Sequence, residues 1–255
     1  MDKLRDEILQ ISHVNIQFGN FKAIKDVSTK IYKNEIRFFI GPNGAGKTTI
    51  LDAICGRSQV KSGKIIYQKQ YDLTKMKEFK IAKLGIGRKF QTPSVFNGLT
   101  VRENIELVAS QRYSLFSTTF TRLTKEQQEY VDYILQFIGL ADQQTFYPKK
   151  LSHGQKQWLE IAMIMASHPK LILLDEPVAG MGRHETEKTE ALILKMKNEC
   201  SLIVVEHDME FAKHISDYVT VFFDGHVLDE GTIDEVERNP DVIKVYLGRG
   251  TDEND

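Results

Sequence analysis

Glu35-Ile-Arg-Phe-Phe-Ile-Gly-Pro-Asn-Gly-Ala-Gly-Lys-Thr-Thr49 decides how the rest of this chain is read. Its apolar run, Ile36 to Ile40, is short and bounded by turn residues, which predicts a buried strand. Gly41-Pro42-Asn43-Gly44-Ala45-Gly46-Lys47-Thr48 follows at once and fits the phosphate-loop spacing G-x-x-x-x-G-K-[ST]. Thr49-Ile-Leu-Asp-Ala-Ile-Cys55 then reads as the opening turns of a helix. Strand, glycine loop and helix in that order turn backbone N–H groups and the positive end of a helix dipole toward phosphate oxygens. In that frame Lys47 reaches the β- and γ-phosphates of a nucleotide, and the Thr48 hydroxyl ligates Mg²⁺.

Composition sets the bounds. The 255 residues suffice for one large α/β domain or two small ones, and 41% apolar with 27% charged is an ordinary globular balance. A net charge of −1 argues against nucleic acid as the main partner, since domains that track phosphates are usually basic. No apolar run approaches the roughly 20 residues of a membrane span, and the charged opening Met-Asp-Lys-Leu-Arg-Asp-Glu does not read as a signal peptide. A cytoplasmic protein is expected, with any membrane role carried by another chain. Cys55 and Cys200 lack metal-ligand spacing and read as buried free thiols.

Outward from the loop, residues 8–16 alternate apolar and polar and predict a strand, with a turn at 18–21 and a second strand over 23–32. This opening has antiparallel character. Phe18, about two dozen residues before the loop, is the candidate to stack on a nucleotide base. A short strand (64–67), a helix (75–84) and a glycine-rich strand (85–93) follow. Helical periodicity then dominates: 101–110, 125–138 and 152–166, with 110–124 a loop or short helix. The α/β texture resumes with strands over 170–175, 201–205 and 218–223, helices over 185–198 and 209–215, an Asp224-Gly225 hairpin turn, and a final helix over 232–247.

Four places outside the loop carry chemistry. Leu171 to Glu176 is an apolar strand ending in two acids, where a parallel strand meets a ligand crevice. Asp175 there holds Mg²⁺ through its water shell, and Glu176 orients and deprotonates a water; a helix N-cap pair is the plainer alternative. His207, just past the strand 201–205, is placed to hydrogen-bond a γ-phosphate, or is simply a surface residue. Gln91, at the seam between core and helical segment, is a candidate metal ligand or γ-phosphate sensor. Ser152 reads as the N-cap of the helix that follows, and Gly154 permits close backbone approach. Ser152, Gly154, Gln155 and the helix dipole make a second anion site. It lies on the helical segment, so two chains packed head to tail, each facing the other's loop, would give two composite sites.

With those residues in hand, the chain resembles the ATP-binding subunit of an ABC transporter over nearly all its length. The phosphate loop 41–48, Gln91 as the Q-loop, 151–155 as the signature, 171–176 as the acidic strand and His207 as the switch histidine occur in that family's order and spacing. The resemblance implies a P-loop NTPase (RecA-like) α/β core with an antiparallel β subdomain and an inserted α-helical subdomain. The core then takes 1–92 and 166–255 and the helices 93–165, in one ABC ATP-binding domain. It implies ATP and Mg²⁺ as ligands, with Phe18 on the adenine, Thr48, Gln91 and Asp175 at the metal, and Glu176, His207 and Gln91 at the γ-phosphate.

The resemblance implies partners too: transmembrane permease subunits, a second ATP-binding subunit in a sandwich dimer, and an extracytoplasmic solute-binding protein. The Q-loop and residues 94–120 would dock on the permease at the cytoplasmic face. Finer features, Phe18 to Ala23, Gly85 to Gln91 and Val245 to Gly248, resemble the branched-chain amino acid and urea importer ATPases. Leu151 to Ile161, Asp175 to Met181 and Val204 to Phe211 look most like the urea-type subunit, so urea is the expected cargo, with branched-chain amino acid import or an export or lipid-extraction ATPase as alternatives. Two positions depart from the pattern. His153 replaces the second signature glycine, and Gly182 stands where an Asp is common, with Arg183 or His184 beside it.

Overall fold

A computed structural model describes residues 6–89, 95–110 and 123–247. In chain order its elements are β1 (Glu7–Phe18), β2 (Phe21–Tyr32), β3 (Ile36–Ile40), α1 (Lys47–Ile54), β4 (Ser62–Tyr67), β5 (Tyr71–Asp72), α2 (Glu78–Lys83), β6 (Ile86–Lys89), α3 (Val101–Ser110), α4 (Lys125–Phe137), α5 (His153–Ala166), β7 (Leu171–Asp175), α6 (Arg183–Met196), β8 (Ser201–Val205), α7 (Met209–Ile215), β9 (Tyr218–Phe223), β10 (His226–Gly231), α8 (Ile233–Val236) and α9 (Pro240–Leu247). They build two sheets. One is antiparallel, in the order β2-β1-β4-β5. The other runs β10-β9-β3-β8-β7-β6 and is parallel except at its β10 edge.

The continuous apolar strands are explained by burial on both faces. On β3, Ile36, Phe38 and Ile40 join a core shared with α3, α4, α5, α6 and α7. Phe39 points the other way, into a core shared with α1 and the antiparallel sheet. The same alternation divides β7, with Ile172 and Leu174 on the helical side and Leu171 and Leu173 opposite. The parallel sheet is therefore the middle layer, and the ends of β3, β7 and β8 lead into the loops that carry the chemistry.

Several boundaries differ from the sequence reading by a few residues, and three of them have a plain local cause. The phosphate-loop helix begins at Lys47, not Thr49, because Gly46 is its N-cap. The helix expected over 75–84 begins at Glu78, since the Asp72 carboxylate accepts from the Thr74 N–H (3.2 Å) and holds Leu73–Lys75 in a separate short turn. The final helix is broken in two at Pro240, whose ring disfavours a helical Asn239 and which has no N–H to continue the ladder. Asn239 caps the second piece, its Oδ1 accepting from the Asp241 N–H at 2.9 Å. Of the segment 110–124, residues 111–122 lie outside the described residues. Among the described residues no helix is long and apolar enough to cross a membrane.

Candidate nucleotide site

Residues 41–48 leave β3 and enter α1 through a turn closed by the Ala45 N–H on the Pro42 carbonyl (3.1 Å). Two glycines are required. Gly41 has φ 144°, and a Cβ there would lie 2.1 Å from the Phe222 carbonyl oxygen. Gly46 has φ 104° and sits against Ile24 and the Ala23 carbonyl. Only a residue without a side chain holds either position. The Asp224–Gly225 hairpin turn backs the loop, because the Gly225 N–H donates to the Ala45 carbonyl (3.1 Å) and its carbonyl accepts from the Lys25 N–H (2.8 Å). Strand β2, β9–β10 and the phosphate loop are thereby one rigid unit. Phe18 stands at the end of β1, opposite Phe21 across the hairpin turn, with its ring about half exposed.

Lys47 is buried and its ammonium lies inside the loop, donating to the Gly41 (2.7 Å) and Pro42 (3.0 Å) carbonyls. On the same helix turn, the Thr48 hydroxyl is 3.4 Å from Oδ1 of Asp175 at the end of β7. Burial pushes the Asp175 carboxyl up, while the Arg88 guanidinium pulls it down. Hydroxyl and carboxylate oxygens are hard donors that suit Mg²⁺. Thr48 and Asp175 supply two such donors, which suits an ion whose remaining ligands are phosphate oxygens and water.

Glu176 follows in the left-handed region, φ 47°, its N–H bound to the Val205 carbonyl at 3.0 Å. A non-glycine residue there carries strain of about 1–3 kcal/mol, a pattern that clusters at functional sites. The twist brings the end of β7 over to β8, and the His207 Nδ1 stands 4.0 Å from Glu176 Oε1 and 3.8 Å from Glu206 Oε2. Glu206 is 2% exposed, and burial pushes its carboxyl up to about 7 against the backbone N–H donors of Val178 and His207. Lys89, equally buried, stands 4.0 Å from Glu160 of α5, and its burial pulls the ammonium down while Glu160 holds it up. Gln91 lies outside the described residues.

At Ser152 the structure shows the expected helix N-cap. Ser152 caps α5, its Oγ accepting from the Gln155 N–H (3.2 Å) while Gln155 Oε1 accepts from the Ser152 N–H (2.9 Å). Unforeseen is Glu185 of α6. It accepts from the Ser152 hydroxyl at 2.8 Å, and a Cβ on Gly154 would lie 2.5 Å from its carboxyl carbon. His153 is 3.2 Å from the Ala179 carbonyl and 3.0 Å from the Gln157 amide. The buried Trp158 indole donates to Thr189 Oγ1 at 2.9 Å, with the Lys188 ammonium 3.9 Å from its ring. The first turns of α5 are thus bolted to residues 179–189.

A family model described as ABC transporter matches residues 24–179. The chain belongs to the ABC transporter family. It is 36% identical over 251 residues to the high-affinity branched-chain amino acid transport ATP-binding protein BraF of Pseudomonas aeruginosa, covering 94% of this chain and 98% of that one. Identity to the corresponding LivG protein of Escherichia coli is 34% over 250 residues, covering 94% and 98%. Among solved structures, the ADP conformation of MJ1267, an ATP-binding cassette of an ABC transporter, superposes with a TM-score of 0.83 at 29% identity, over 95% of this chain and 99% of that one. The fold is that of an ABC ATPase cassette, and the chain is an ATPase that powers transport.

For this cassette, several pieces were not visible in the sequence. Arg88 joins Asp52 to Asp175, yet as one basic residue in a glycine-rich strand it carried no signal. The sequence reading places Glu185 only as the first residue of a helix; in the structure that helix begins at Arg183, and the Gly182 N–H donates to Glu185 Oε2 at 3.4 Å. Arg183 pairs with Glu187 along the exposed helix face. Cys55 and Cys200 are buried free thiols, their acidity pushed to about 11 and about 12 by burial.

Proposed function

We propose that this chain is the ATP-hydrolysing subunit of a branched-chain amino acid importer and that residues 41–49, 175–176 and 207 are its catalytic centre. The observation that carries the catalytic reading is the meeting of three elements: Lys47 and Thr48 at the start of α1, Asp175 and Glu176 at the end of β7, and His207 after β8. ATP lies with its phosphates in the loop, bound by N–H groups of residues 44–49 and the Lys47 ammonium, and with its adenine on Phe18. Thr48 and Asp175 would hold Mg²⁺, and Gln91 would be a further ligand. Bound there, Mg²⁺ neutralises phosphate charge and aligns the terminal phosphates.

Glu176 orients the attacking water and takes its proton as oxygen joins the γ-phosphorus. The bond from phosphorus to the β–γ bridging oxygen breaks, leaving ADP and phosphate. His207 and Lys47 stabilise the developing charge. Ser152, Gly154 and Gln155 of a second ATP-binding subunit close the pocket in trans, and the helices over 93–165 form the arm that carries them. The core takes 1–92 and 166–255 in a single cassette. The cassette sits at the cytoplasmic face of the membrane on permease subunits, served by an extracytoplasmic solute-binding protein.

The cargo reading is supported by the names of the relatives, which are branched-chain amino acid transport proteins. The urea reading rests on the runs 151–161, 175–181 and 204–211, and the relatives named for this chain are branched-chain amino acid transport proteins. Uptake decides between them. In cells whose only copy carries Lys47→Ala, labelled leucine uptake at low external concentration is expected to be lost while urea uptake persists. Loss of urea uptake with leucine uptake intact would overturn the amino acid cargo. Normal uptake of both would overturn both cargo readings.

A further inference from the structure

We infer that Arg88 is a positioning residue for the metal-holding end of the ATP site, a strut that fixes Asp175 relative to Thr48. The inference rests on the proposed reading in which Thr48 and Asp175 hold Mg²⁺. Arg88 lies on β6, paired beside Leu173 of β7, and is 6% exposed at its side chain. One arm of its guanidinium, Nη1, donates to Asp52 Oδ1; the other, Nη2, reaches Asp175 Oδ2 at 3.4 Å. Asp52 is four residues after Thr48 on α1, hence one turn along on the same helix face. The Thr48 hydroxyl returns to Asp175 Oδ1 at 3.4 Å. The contacts form a closed circuit through Thr48, Asp175, Arg88, Asp52 and the intervening turn of α1.

The circuit divides the two oxygens of Asp175. Oδ2 faces the guanidinium and Oδ1 faces the hydroxyl. A guanidinium is a rigid planar fork, so its tie to Asp52 sets where its second arm points and therefore the plane of the Asp175 carboxylate. Asp52 takes the closer contact, leaving Asp175 the looser one. The two carboxylates against one guanidinium leave net negative charge facing Thr48, which favours a cation there. The whole arrangement is outside the metal's own ligands but orients one of them, the role in which partners of ligating carboxylates act. A single ammonium on a flexible stem cannot hold both carboxylates in this way.

The test uses the full chain. Mn²⁺ binding is followed by electron paramagnetic resonance with saturating ADP, and ADP affinity is measured separately in EDTA. In Arg88→Met/Asp52→Asn, which removes both charges together, Mn²⁺ affinity is expected to fall by about 10- to 100-fold with metal-free ADP affinity unchanged. Arg88→Lys keeps the buried charge, and so the fold, and is expected to lose Mn²⁺ affinity in the same direction. Unchanged Mn²⁺ affinity in both variants overturns the inference. A parallel fall in metal-free ADP affinity also overturns it, because general loosening of the site would do that. Asp175→Asn separates the two levels. If it loses Mn²⁺ while the Arg88 variants do not, the metal reading stands and the strut fails. If it binds Mn²⁺ normally, the metal reading fails and the strut with it.

Discussion

Glu206→Gln is expected to change how the stability of this protein depends on pH. Glu206 is 2% exposed at the end of β8, and its Oε1 has no hydrogen-bond partner. Burial raises its pKa from an ordinary 4.5 to about 7. A raised carboxylic acid keeps its proton in the fold while the unfolded chain has lost it. Between those two values the native state binds more protons than the unfolded state, so stability falls as pH rises from 4.5 toward about 7. At roughly 1.4 kcal/mol per pH unit, the loss is about 3 kcal/mol, complete above the folded pKa. Glutamine has nearly the same shape, accepts from the same backbone N–H groups and does not titrate. The variant is expected to match the wild type near pH 4.5 and to exceed it at pH 8, by roughly 6–12 °C in Tm for a chain of this size. Thermal unfolding by circular dichroism from pH 4.5 to 8.5, without nucleotide, reads it directly. Parallel pH dependences in the two proteins would refute the argument, since they would mean that Glu206 ionises in the fold as it does in the unfolded chain.

Two further substitutions test the site and its support. Glu176→Gln keeps shape and hydrogen bonding but cannot take a proton. Nucleotide binding should stay at the wild-type level while phosphate release falls roughly 10²- to 10⁴-fold, the range typical of a lost general base; wild-type turnover would remove Glu176 from that role. Thr189→Val leaves the buried Trp158 indole N–H without its 2.9 Å acceptor. A loss of about 1–3 kcal/mol is expected in urea unfolding, as for other buried donors left unsatisfied. An unchanged midpoint would mean that α5 is held to α6 by other contacts.

The features legible in the residue order lie at short range. The glycine spacing of 41–46 forces the loop, because positive φ and contact with Phe222 and Ala23 exclude any side chain at Gly41 and Gly46. Apolar runs at 36–40, 171–175 and 201–205, broken only by Arg37, Asp175 and Ser201, announce strands buried on both faces, and Ser152 with Gln155 announces the start of a helix. Each is a matter of residues within a few positions of one another. The misplaced boundaries at Lys47, Glu78 and Pro240 are where a nearby cap or ring decides against simple helical periodicity. Tertiary structure alone decided who meets whom. Arg88 and Asp175 are 87 residues apart and adjoin only because β6 pairs with β7. Ser152 meets Glu185 because the start of α5 lies against α6, and burial raises the Glu206 carboxyl because the residue follows β8, an inner strand of the sheet. A charge on a chain says nothing of its partner or its solvent until folding supplies both, and here folding supplies the contacts of Asp175 with Arg88 and Thr48 and the burial of Glu206.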